Sequence, residues 1–235
     1  MSVTYQNAGQ AVNADLTLDA GAGSDRFLLA GVLKQSSETT STVTYNGVGL
    51  TKVATLADGN VSGNEENTLW VSAGFEPASG SNTLSGTFSG AATYIFSGAV
   101  YNGVDQTTGY EAVNTSTSAS IAAATVTVTS TTDNCWVAGY IRTASTSTAD
   151  GNTTKRVGTN VSMADGNSDV TPAGAYAIGY TNAATHNMLA LAIRPAVASS
   201  TSIKSVNGLA IASVKSINGL AIASVKSVNG LSNVS

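Results

Sequence analysis

Across residues 1–196 the apolar positions either alternate strictly with polar ones or gather in short unbroken blocks. Both arrangements belong to strands, half-buried in the first case and fully buried in the second. Residues 26–33, Arg-Phe-Leu-Leu-Ala-Gly-Val-Leu, form such a block and predict a buried central strand. Residues 42–54 place Asn46-Gly47 between two alternating runs. That is the strongest short hairpin signal, because a type I′ turn needs positive φ at both central residues. Further strands are predicted over 68–73, 82–89, 93–101, 119–129, 134–142, 173–180 and 188–194. Only residues 119–125 also suit a helix, and the Thr-Val-Thr-Val run that follows decides for strand. Turn residues separate these runs, at Asp58-Gly59-Asn60, 77–80, Asn102-Gly103, 132–134 and 172–174. The spacing predicts an all-β chain: a jelly-roll-like antiparallel β-sandwich over residues 1–196. Residues 144–160 turn polar and read as a long surface excursion.

A short joint, residues 197–201, leads into three tandem eleven-residue repeats over 202–235. Asn207-Gly208, Asn218-Gly219 and Asn229-Gly230 recur as predicted turns. Nine-residue strands would then run between turns, with Leu209, Ile211, Ile217, Leu220 and Ile222 on one face and Val214 on the other. A meander of this kind is marginal in water, so it should pack on the main domain, on a copy of itself or on another protein. A solenoid with one coil per repeat is the alternative geometry. The apolar positions Ile203, Val206, Leu209, Ile211, Val214, Ile217, Leu220, Ile222, Val225 and Val228 are the expected assembly interface.

Composition sharpens this picture. Hydrophobic residues make up 42% of the 235, enough for a core, but only 10% are charged. Thr, Ser, Asn and Gly carry the polar surface instead, which suits hydroxyl-covered sheets. The net charge of −4 and the scatter of the ten basic residues argue against nucleic-acid binding. A single cysteine, Cys135, excludes an intrachain disulfide, and its strand context predicts a buried thiol. No stretch reaches the roughly 20 apolar residues of a membrane span. The start carries no basic and apolar leader, so synthesis in a cytoplasm and placement on a virus particle by assembly are expected.

Val-Lys-Ser-Val-Asn-Gly-Leu at 225–231, with its earlier copies, resembles the Ser-Val-Asn-Gly repeats of tailed-bacteriophage fibres and other virion appendages. Leu-Ala-Ile-Ala stands where Lys-Thr-Gly often follows in the fibre version. A second resemblance rests on residues 43–53, Leu69-Trp70, Phe88-Ser89-Gly90 and 103–108, which are similar to a β-sandwich module of bacterial surface and phage structural proteins. The first resemblance implies thin β-structured stalks or attachment segments; the second implies a sandwich with a surface role.

Candidate chemistry is sparse. His186 is the only histidine and reads as a strand-end or turn residue rather than a triad base. Glu38, Glu65, Glu66, Glu76 and Glu111 sit near predicted turns and read as solvated charges, not as a glycosidase pair. Asp58, Asp150, Asp165 and Asp169 lie in oxygen-rich loops that lack calcium-loop spacing, and Asp165 and Asp169 would be the first ligands of any metal. Trp70, Trp136 and Tyr140 fall inside strand patterns and read as packing; Tyr110 is the better candidate for a surface contact. No cofactor and no catalytic residue are expected. The leading expectation is a non-enzymatic phage structural protein, a capsid decoration or tail fibre subunit, oligomeric and possibly trimeric through its repeats. Its partners would be itself and other virion proteins. The alternatives are a carbohydrate-binding host-adhesion module and a bacterial surface filament subunit.

Overall fold

The computed structural model describes residues 2–35, 39–58, 61, 64–90, 93–118, 123–181 and 185–197, and six two-residue strands beyond them. Every element among the described residues is a β-strand. The chain divides into two units, Met1–Ala196 and Val197–Ser235.

The first half of the larger unit carries β1 (Thr4–Val12), β2 (Leu16–Asp19), β3 (Phe27–Gln35), β4 (Thr40–Tyr45), β5 (Val48–Gly49), β6 (Thr51–Asp58), β7 (Glu65–Val71), β8 (Ser81–Phe88) and β9 (Tyr94–Asn102). They form two antiparallel sheets, ordered β1-β9-β3-β7-β6 and β2-β8-β4-β5. First strand pairs with last, second with second-last, third with third-last, so one long hairpin is wound into a two-sheet roll. Its tip is Asn46-Gly47, with φ of 51° and 76° and Tyr45 paired to Val48. The expected I′ turn is there, but its ladder ends after two pairs. At Leu50 the strand leaves the outer sheet and continues as β6 at the edge of the inner one. This topology is a jelly roll.

The second half repeats it. Here β10 (Tyr110–Ser118), β11 (Ala124–Thr129), β12 (Cys135–Thr143), β13 (Thr148–Ala149), β14 (Thr154–Gly158), β15 (Val161–Val170), β16 (Ala175–Thr181) and β17 (His186–Ile193) form sheets β10-β17-β12-β15-β14 and β11-β16-β13. Apart from β5, which has no counterpart here, this is the order of the first roll. The likeness extends to detail: β6 and β14 each carry a bulge, after Lys52 and after Lys155. In each roll an asparagine of the first strand ties the two sheets together. Asn7 Nδ2 donates to Asp19 O at 3.2 Å, and Asn114 Nδ2 to Thr127 O at 2.7 Å. The sandwich predicted for residues 1–196 is thus built twice.

The two five-stranded sheets face each other, which stacks four layers around three cores. Leu29, Leu69 and Tyr101 of the first roll meet Tyr140, Met163 and Leu191 of the second in the central core. The outer sheets close the other two, around Leu28, Trp70 and Phe96 in one roll and Val126, Ile141 and Ile178 in the other. Inner strands are therefore covered on both faces. This explains why β12 and β17 are buried at every position and β3 at all but Gln35, and why their sequences are unbroken apolar blocks. The outer strand β11 alternates buried Ala124, Val126 and Val128 with exposed threonines.

The smaller unit shows β18 (Ser205–Val206) paired with β19 (Leu209–Ala210), β20 (Ser216–Ile217) with β21 (Leu220–Ala221), and β22 (Ser227–Val228) with β23 (Leu231–Ser232). In each pair the residues either side of Asn-Gly face one another, as Val206 faces Leu209. These are three separate two-stranded sheets. The predicted nine-residue strands between turns span residues 211–215 and 222–226, which lie outside the described residues.

Candidate functional site

Among the described residues, charge is buried at two places along the seam between the rolls. Arg142 on β12 sends Nε and Nη2 to the two oxygens of Glu65 on β7, at 3.1 and 2.9 Å, and Nη1 to Thr143 O. One strand turn away, Tyr140 donates to Asn67 Oδ1 at 3.4 Å, again across the seam. A second cluster centres on Asp165 of β15, which is wholly buried. It accepts from Arg156 Nε at 2.7 Å and Nη2 at 2.9 Å, and from Tyr101 of the first roll at 3.0 Å. Arg156 is the extra residue of the β14 bulge, which re-aims a strand side chain inward. Its guanidinium lies 4.0 Å from the centre of the Tyr5 ring. Burial works against the Arg156 charge, but the Asp165 carboxylate outweighs it and raises its pKa. Burial first, then Asp165, pushes the Tyr101 phenol well above its ordinary value. These groups are closed on one another, and two of the bonds, Arg142 to Glu65 and Tyr101 to Asp165, cross from one roll to the other.

Where the seam reaches the surface beside Arg142 it opens into a cleft of about 270 Å³. Val12, Leu33, Ile95 and Val161 give it an aliphatic wall, and Gln10, Gln35, Thr159 and Asn160 give it polar ones. Gln10 Nε2 bridges Ser97 Oγ at 2.9 Å and Val161 O at 2.8 Å, so it stitches the rolls together at the cleft floor. Val12 is 56% exposed, among the few large apolar side chains left in water.

Several acids stand elsewhere than the sequence suggests. Glu65 and Glu66, expected as solvated loop charges, are buried on β7. Arg142 neutralises the first, and the second accepts the Thr40 amide at 2.6 Å. Lys34 stands across the ladder from Glu66, fully buried. Burial lowers its pKa, and Glu66 opposes that in part. Glu111 lies on β10 and takes the amides and hydroxyls of Thr131 and Thr132, four bonds between 2.7 and 2.9 Å. Desolvation alone would raise its carboxyl; the threonine bonds win and hold it at about 2. Glu76 pairs with Arg26 at 3.2 Å. Cys135 is buried, and burial together with neighbouring Glu111 pushes its thiol to about 12, far from a reactive thiolate.

The polar stretch 144–160, expected as a surface excursion, holds β13, β14 and the buried Ser147 and Thr153. Much of it is exposed, at 144–146, 148, 151, 152 and 159, but it also sends Arg156 to Asp165 at the seam and Lys155 over the Tyr180 ring. Trp70, Trp136 and Tyr140 are buried as expected. Tyr110 is not a loop contact; it opens β10 and packs half-buried on the central core. His186 opens β17, buried, with Ser118 and Thr143 as its ladder neighbours. Asp165 is held by Arg156, and Asp150 folds its own turn by accepting from Asn152 N and Thr153 Oγ1. Among the described residues no three His, Cys, Asp or Glu side chains are placed to share a metal ion. Of the expected assembly residues, Val206, Leu209, Ile217, Leu220 and Val228 lie in the paired strands. Ile203, Ile211, Val214, Ile222 and Val225, and all six Asn-Gly turn residues, lie outside the described residues.

The chain matches no family model, no curated protein and no solved structure.

Proposed function

We propose that this chain is a non-enzymatic structural protein of a tailed-phage particle, displayed on its surface and assembled through its C-terminal repeats. The observation that carries the reading is the run of three hairpins in identical register, spaced eleven residues apart, outside the larger unit. Arms of two residues supply one short ladder each, and an isolated hairpin of that size is marginal in water. Repetition at a fixed interval presents the same backbone edge and the same Val, Ile and Leu positions three times. Such a segment gains stability by adding strands to a neighbour. The larger unit suits a displayed, chemically inert body: Arg142 is engaged with Glu65 and Arg156 with Asp165, and its outer sheets carry hydroxyls. Capsid decoration and tail appendage are both compatible with this architecture, and a trimer is the assembly suggested by the fibre-like repeats.

The reading is tested by light scattering on the full chain and on a chain ending at residue 197. Oligomers that become monomers on truncation support it. A full-length chain that is already monomeric at micromolar concentration removes it.

A further inference from the structure

We infer that the seam cleft beside Arg142 is the dock for the repeat segment of a second copy of this chain. This rests on the assembly reading above and names the partner surface that reading lacks. The cleft joins an aliphatic wall to primary amides, and a primary amide is the side-chain counterpart of a peptide group. Gln10 and Gln35 donate through Nε2, the latter to Glu65 Oε1 at 3.3 Å, while their Oε1 atoms accept no bond among the described residues. Asn160 accepts from Thr146 Oγ1 at 3.4 Å, and its Nδ2 donates to nothing among the described residues. Acceptors on one side and a donor on the other suit an extended peptide, whose N–H and C=O groups alternate.

The volume selects for small aliphatic side chains. About 270 Å³ lies just under the roughly 300 Å³ at which pockets for drug-sized ligands begin. Leu-Ala-Ile-Ala, at 209–212 and again at 220–223, supplies such side chains with no charge among them. Charge favours the same pairing at longer range. All fourteen acidic residues but only seven of the ten basic ones precede residue 197, so the body carries −7 and the repeat segment +3. Such opposition speeds encounter between copies and fixes their orientation. Three repeats per chain against the cleft described engage several copies at once, and linked sites of this kind gain avidity without new contacts.

The probe is a labelled peptide with the sequence of residues 213–223, titrated by fluorescence anisotropy into a chain ending at residue 197. That truncation keeps the three cores, which lie wholly within the larger unit. Binding is expected, and Val12→Arg should weaken it at least about tenfold, a loss of about 1.4 kcal/mol. Val113→Arg, at an exposed valine of the second roll, should leave it unchanged. No binding, or binding indifferent to Val12→Arg, overturns the dock. Light scattering of full-length Val12→Arg separates the two proposals. Tail-dependent oligomers that survive this substitution keep the assembly role and discard the cleft. A full-length chain that is monomeric without any substitution discards both.

Discussion

Glu111 shows at the residue scale how this protein uses its few charges. Four bonds from one Thr-Thr pair make its carboxylate the staple between β10 and the turn before β12. Because its folded pKa of about 2 lies below the ordinary 4.5, the ionised form contributes stability above about pH 4.5. That contribution fades as pH falls towards 2. Glu111→Gln should therefore cost about 1–2 kcal/mol in urea unfolding at pH 7, with the gap to wild type closing between pH 4.5 and 2. A pH-independent gap would mean that shape, not charge, does the stapling. Sequence reading placed this residue, with Glu65 and Glu66, in solvent, because an acid near a turn signal is usually solvated. What it could not see were the partners: Thr131 and Thr132 are twenty residues away, and Arg142 is 77 from Glu65. Trp70, Trp136, Tyr140 and Cys135 were legible because their own strands declare them buried. A buried acid is declared only by the partner, cation or hydrogen-bond donor, that folding brings to it.

Elements were legible in proportion to how apolar they are. The blocks that became β3, β12 and β17 are unmistakable, since both faces of an inner sheet must be greasy. β1, β10 and β14 escaped notice; their sequences, Thr-Tyr-Gln-Asn-Ala-Gly-Gln-Ala-Val among them, are polar because they lie at sheet edges. The Asn46-Gly47 turn was legible as a turn, but not as the tip of a whole roll. At that tip both residues hold positive φ, and an alanine in place of glycine there meets its own carbonyl rather than a neighbour. Gly47→Ala should cost about 1 kcal/mol in thermal unfolding, with no change in the β-sheet circular dichroism of the folded state. A neutral result would show that the ladder between β4 and β5 does not constrain the tip. In the repeats the residues flanking each Asn-Gly pair with one another, as Val206 does with Leu209, while the turn residues themselves lie outside the described residues.

At the scale of the whole molecule the duplication matters most, and nothing in the sequence announced it. The two rolls preserve strand order and the bulges of β1 and β10 and of β6 and β14, while their facing side chains have become complementary instead of alike. Gly31 of β3 lies under the ring of Tyr140 on β12, so closely that any added Cβ would enter the ring. Gly31→Ala should thus cost about 3 kcal/mol or more by chemical unfolding, because a wholly buried tyrosine must shift. Gly151→Ala, which meets open space, should stay within about 0.5 kcal/mol. Equal effects would mean that the rolls do not press together at that point. The link between rolls, residues 103–109, is short and pinned, with Gln106 Nε2 on Arg26 O at 3.1 Å and Asp105 N on Arg194 O at 3.0 Å. The order of synthesis then imposes a waiting period. When the ribosome finishes β9, the inner face of the first roll is ready but its cover has not been translated. Some ninety residues must still emerge, about 5–20 s of elongation, with Leu29, Leu69 and Tyr101 open to whatever else is nearby. A nascent chain in that interval is an obvious client for a chaperone, and the yield of this protein should depend on how fast its second half is made.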